Sequence, residues 1–138
     1  MAIINEKFNI STRGFTDIVD ITNKLHDLTL KANLKSANAC VYVVGSTASI
    51  TTIEYEPGLI KDLPEALEKI APANKEYHHD QKWKDGNGHA HIRSAIIGNS
   101  INIPVIDGHL VLGTWQQVVL IDFDNKPRTR TITVQFIY

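Results

Sequence analysis

The chain of 138 residues holds a single cysteine, Cys40, so no disulfide can form within it and the fold must rest on its core and on subunit contacts. That usage suits a reducing compartment, and a cytoplasmic protein is expected. No apolar run is long enough to span a bilayer. The opening Met1-Ala2-Ile3-Ile4-Asn5-Glu6-Lys7 meets polar residues before the apolar stretch of a signal peptide can build up, so neither a processed leader nor a membrane partner is expected. Charge of one sign is lacking too. Lys plus Arg total 14 against 15 Asp plus Glu, a formal net charge of −1, so there is no general pull toward nucleic acid. What remains, 43% hydrophobic and 21% charged residues, is the composition of one compact domain over residues 1–138.

Residues 4 to 10 alternate as a half-buried strand, Arg13-Gly14 reads as a turn, and Phe15 to Ile21 reads as a second strand before Thr22, a helix-capping residue. Ile21, Leu25, Leu28 and Ala32 recur at helical spacing. The β-branched run Ala39 to Val44 suits a strand covered on both faces, and Ile50 to Tyr55 resumes an extended pattern after the small residues Gly45 to Ser49. Leu63, Leu67 and Ile70 are spaced for a second helix with Pro64 in its first turn, and Lys75 to Gly88 reads as a long polar loop. From His89 onward the pattern predicts strands throughout, with Asp107-Gly108 as a two-residue hairpin turn and Arg128 to Tyr138 as a half-buried final strand. The expected fold class is α+β: β-rich, mixed or antiparallel sheets in a sandwich-like arrangement, with two helices in the first half.

On a strand, His89, His91 and Arg93 at spacing two would share one face. With His79 nearby in the preceding loop, His79, His89 and His91 are candidate ligands of a divalent metal such as zinc, and Glu54 is a ligand or general base. A His-x-His on a β-rich domain also suggests a cupin, but Ala95 and Ile96 stand where a cupin's acidic ligand would fall. Gly45-Ser46-Thr47-Ala48-Ser49 lets an anion approach the backbone, with Ser46 and Thr47 as substrate contacts, or is a tight strand connection. Cys40, in an apolar run without a neighbouring cation, is expected to be buried and inert. In Gly113-Thr114-Trp115-Gln116-Gln117, Trp115 is a candidate substrate contact, and one amide must face inward or toward a subunit boundary. Gln116 would orient a ligand or bond a neighbouring strand.

Three blocks in order resemble the YjbQ-like family, UPF0047: Gly45-Ser46-Thr47-Ala48 with Thr51-Thr52-Ile53-Glu54-Tyr55-Glu56-Pro57-Gly58; Asp85-Gly86-Asn87-Gly88-His89-Ala90-His91; and Asp107-Gly108 followed by Gly113-Thr114-Trp115-Gln116. Many relatives carry a His-Thr-Thr-Ala-like segment in the first block and an Asp-Ala-His where this chain has His89-Ala90-His91, so the resemblance implies that Thr47 and His91 correspond directly and that the site exchanges donors at positions 45 and 89. The resemblance implies a homotrimer with clefts between subunits and a secondary thiamine-phosphate synthase activity, joining a pyrimidine diphosphate to a thiazole phosphate with release of diphosphate. The expected function is that of a metal-dependent enzyme handling a small phosphorylated ligand, with catalytic Glu54, Arg93 and Gln116 and with Arg93 also holding the phosphate. The alternative is a non-catalytic trimeric module whose histidines hold a structural metal or an anion.

Overall fold

A computed structural model describes residues Met1–Tyr138. Its strands are β1 (Ile3–Thr12), β2 (Asp17–Asp20), β3 (Ser36–Val43), β4 (Ala48–Ile53), β5 (Ser100–Ile106), β6 (His109–Leu110), β7 (Gln117–Asp122) and β8 (Arg128–Ile137). Its helices are α1 (Thr22–Ala32), α2 (Pro57–Ile70), α3 (His78–Trp83) and α4 (Gly88–Ile97). A five-stranded sheet in the order β1-β8-β3-β5-β6 lies against a three-stranded sheet in the order β2-β7-β4. Every strand pair is antiparallel. The α+β class and the sandwich-like pairing follow the expectation.

The two sheets share a core in which Val41, Val43, Ile132, Val134 and Phe136 meet Ile50, Val118 and Leu120, closed at one end by Ile21 and Leu25 of the α1 region. A second cluster joins Ile18, Val119, Ile121 and Phe123 on the other face of the small sheet to Leu67 of α2 and Ala90 of α4. The small sheet is therefore the middle layer, and its central strand β7 is buried at every position after Gln117. The strand covered on both faces is thus β7 and not β3, which alternates because no helix covers the outer face of the large sheet. Cys40 lies on that outer face and is half-buried, correcting the expectation of full burial.

Local chemistry accounts for other differences. Thr22 is the first helical residue of α1, and its hydroxyl bonds the Asp20 carboxylate and the Val118 carbonyl instead of capping the helix. α2 begins at Pro57 under a Glu56 cap that accepts from the Gly58 amide at 2.8 Å, so Pro64 falls inside the helix and not in its first turn. The Lys75-to-Gly88 loop contains α3, whose Asp80 carboxylate accepts from the Tyr77 amide at 3.2 Å and from the Gly88 amide at 2.9 Å. Gly88 is required there, since a Cβ would stand 2.6 Å from the Tyr77 Cβ. α4 replaces the strand expected from His89 to Ile97. Its buried side is marked by His89, Ala90, Arg93 and Ser94, and the Ser94 hydroxyl donates to the Ala48 carbonyl at 2.6 Å. A helical period carried by polar residues is invisible to a hydrophobicity pattern.

Candidate functional site

The helix at Gly88–Ile97 rearranges the expected site. Residues two apart on a helix point about 200° apart, so His89 and His91 leave α4 on different sides. Arg93, four residues after His89, stays with His89. His91 meets His79 of α3 instead, with ring centroids 4.2 Å apart and planes tilted by 49°. The anticipated His79, His89 and His91 triad is not brought together, and no group of His, Cys, Asp or Glu side chains forms a three-donor metal site. The residues present do not fit a zinc-like centre as arranged, because two imidazoles are joined by no third converging ligand.

Arg93 is also not the free phosphate fork the strand reading implied. Its buried guanidinium donates to the Ala71 carbonyl from Nε at 3.0 Å and from Nη2 at 2.8 Å, to the Thr16 hydroxyl from Nη1 at 3.0 Å, and to Glu68 from Nη2 at 2.6 Å. It ties the end of α2 and the β1–β2 loop to α4. Glu54 is exposed just past β4 and bonds neither histidine of the close pair. Both amides of the Gln116-Gln117 pair serve neighbouring chain. Gln116 accepts from the Gly113 amide at 3.0 Å and donates to the Thr52 hydroxyl at 3.1 Å, while Gln117 accepts from the Tyr55 amide at 2.9 Å. Trp115 is exposed, as is Ser46.

Thr47 is buried, and it leads to residues the sequence reading missed. Its hydroxyl donates to Asp124 at 3.1 Å and accepts from Arg130 Nη2 at 2.6 Å. Arg130 is clamped to Asp122 through Nε at 2.6 Å and Nη2 at 2.8 Å, and Thr12 donates to the same carboxylate at 2.6 Å. Arg128 pairs with Asp124 at 2.8 Å. Two carboxylates therefore face two guanidiniums, with the charges balanced. The hydrogen bonds of Arg130 all come from Nε and Nη2, which leaves Nη1 directed to Gly45. A Cβ at position 45 would stand 2.8 Å from that nitrogen, and Gly45 holds φ at +129°. Glycine keeps this edge of the guanidinium open, so the arginine beside the Gly45–Ser49 loop is Arg130, not Arg93.

Asp124 connects this arginine to the histidine pair. The Asn87 amide group donates to its Oδ1 at 3.3 Å, and Asn87 Oδ1 lies 3.1 Å from His79 Nε2. A carboxylate only accepts, so the amide oxygen must turn toward His79 and Nε2 must carry a proton. Asp85, 3.5 Å from the same nitrogen, favours that tautomer. The Asp124 carboxyl is held below its usual range by the Asn125 amide, Asn87 and Arg128, which outweigh its burial. Burial and the adjacent His79 push His91 down, so it is neutral near pH 7 and free to accept a proton.

A family model described as UPF0047 protein YjbQ-like matches residues 6–138. The chain belongs to the YjbQ-like UPF0047 family. A UPF0047 protein of Archaeoglobus fulgidus is 34% identical over 129 residues, covering 94% of this chain and 98% of its own. The UPF0047 protein YugU of Bacillus subtilis is 31% identical over 129 residues, covering 93% of this chain and 95% of its own. A crystal structure of a YbjQ-like protein of unknown function from Sulfolobus solfataricus superposes with a TM-score of 0.92 at 29% identity, covering 99% of this chain and 97% of the other.

The missed residues had one signal. In β8 of this UPF0047 protein, Arg128 and Arg130 share parity with Ile132, Val134 and Phe136, whose side chains face inward. An arginine on an apolar face needs a buried carboxylate, and Asp122-Phe123-Asp124 supplies two at the same spacing. No helix in this UPF0047 chain is long and apolar enough to cross a membrane.

A pH dependence follows from His89 and His91, both held below the ordinary 6.5, chiefly by burial. The unfolded chain binds more protons than the folded one below that value, so stability rises with pH there. Stability is expected to be fully present above pH 6.5 and to fall as acid takes the pH through that value toward the lowered folded values. Urea midpoints at pH 7.5 and 5.5 check this, and an unchanged or higher midpoint in acid would contradict it.

Proposed function

We propose that this YjbQ-like protein is an enzyme acting on a small phosphorylated metabolite. The open Nη1 edge of Arg130 at Gly45 holds a phosphate, and His91 moves the proton. The observation that carries this reading is the Asp124 carboxylate, whose two oxygens serve the two halves: Oδ1 accepts from Asn87, which fixes His79, while Oδ2 accepts from Thr47 beside Arg130. With Nε and Nη2 committed to Asp122 and Thr47, the two N–H groups of Nη1 remain to donate to phosphate oxygens as charge-assisted hydrogen bonds. A neutral His91 in ring contact with a His79 whose tautomer is fixed by Asn87 suits general acid–base work near pH 7.

The secondary thiamine-phosphate synthase reaction implied by the resemblance releases diphosphate, and the N–H groups left on Arg130 Nη1 are what would donate to such a leaving group. Inorganic diphosphate is therefore the probe. Isothermal titration should show saturable binding to the unmodified protein and about tenfold weaker binding to Gly45→Ala, whose Cβ meets Arg130 Nη1. Equal affinities would remove Arg130 from the anion site. The implied trimer would seat the uncovered outer face of the large sheet against neighbouring copies. Light scattering should then give three times the 15.4 kDa chain mass. A monomer mass would overturn that part.

A further inference from the structure

On the opposite side of α4 from His91 lies a separate cavity of about 180 Å³, and it is built with some care. α2 and α4 each offer it a pair of residues four apart, Pro64 with Glu68 and His89 with Arg93, so each pair lies on one helix face. Ala73, whose amide donates to Glu68 at 2.9 Å, and Phe15 with Thr16 complete the wall, the last two in consecutive left-handed conformations with φ of 56° and 63° that side chains rarely adopt. The loop is held there by the Phe15 amide, which donates to the Asp124 carbonyl at 2.7 Å. Its ring remains 72% exposed. His89 Nδ1 is buried without a hydrogen-bond partner, although His89 as a whole is only 6% exposed. Buried polar atoms are almost always paired, so the unpaired ring of His89 singles out this wall, and its nitrogens report on what enters the cavity.

The charges narrow the ligand. Arg93 and Glu68 are already paired at 2.6 Å, so the cavity contains one charge of each sign. A ligand ion of either sign would approach a like charge. A neutral ligand meets none. Four of the five N–H groups of Arg93 are used, by Ala71 twice, by Thr16 and by Glu68, and one on Nη1 is left to donate. Glu68 retains lone pairs to accept. The Phe15 ring and the Pro64 ring supply flat apolar surface for stacking, and the volume suits one six-membered ring. We propose that this cavity is a binding site for a neutral, single-ring cyclic amide, whose N–H would donate to Glu68 and whose carbonyl would accept from Arg93 while its ring lies against Phe15. The site is independent of the phosphate reading above.

The test uses 2-pyridone as the probe and protein labelled with nitrogen-15 in the histidine rings. Addition of 2-pyridone should shift the His89 ring nitrogens saturably. Pyridine, which lacks the adjacent donor and acceptor, and benzoate, which is an anion, should not. Phe15→Ala removes an exposed ring and should weaken the response about tenfold. Glu68→Gln, also at a partly exposed position, should weaken it as well and serves if the first variant does not fold. A His89 signal unmoved by 2-pyridone, moved equally by benzoate, or indifferent to both substitutions would overturn the proposal.

Discussion

Replacing Arg130 by methionine is expected to destabilise the protein by about 3–5 kcal/mol, the usual cost of removing one partner from a buried ion pair. Asp122 is fully buried, and it would be left with the Thr12 hydroxyl and the Asp124 amide in place of a guanidinium that donates twice. Thr47 would lose its donor as well. Arg128→Met offers the contrast. Its side chain is 39% exposed, and the buried Asp124 carboxylate keeps the Thr47 hydroxyl, the Asn87 amide group and the Asn125 amide, so the expected loss is smaller, about 1–2 kcal/mol. Urea denaturation of the two variants decides the point: similar midpoints would mean that the Arg130 clamp does not hold the strand ends together.

The second large effect concerns chemistry. For the proposed activity on a phosphorylated substrate, assayed as thiamine-phosphate formation with diphosphate release, His91→Ala is expected to lower kcat by about 10²- to 10⁴-fold, the range for losing a positioned acid–base group. The fold should survive, because His91 is only half-buried and makes no hydrogen bond that a neighbour depends on. Asn87→Ala should lower kcat less, since Asn87 acts by fixing His79 and does not itself move the proton. If His91→Ala retains full turnover while His89→Ala loses it, the proton-transfer role belongs on the other side of α4.

Much of the fold could be read where the physical cause was local. Asp107-Gly108 makes its hairpin by turn chemistry alone, with both residues at positive φ. β8 shows its alternation because its inward side chains beyond the arginines are apolar. The segment from Gly88 to Ile97 failed because the cause was not local. Its alternation of His, Ala, His, Ile and Arg mimics a strand, whereas Ala90 against the small sheet, Ser94 on the Ala48 carbonyl and Arg93 on the Ala71 carbonyl bind it as a helix. That one change of period separated His89 from His91, removed Arg93 from the expected anion site and dissolved the proposed metal triad. Thr47 and His91 are linked instead through the unforeseen Asp124, by way of Asn87 and His79. Gly45 gained a meaning that sequence could not supply, since the guanidinium it uncovers comes from the last strand.

If the proposed function holds, an anion at Arg130 and the paired imidazoles of His79 and His91 belong to one site. Nuclear magnetic resonance tests it most directly, by following the guanidinium of Arg130 and the ring nitrogens of both histidines while inorganic diphosphate is added. All three are expected to respond along one saturation curve, with Arg93 unmoved. A response confined to Arg93 or to exposed lysines, with Arg130 and His79 unchanged, would contradict it.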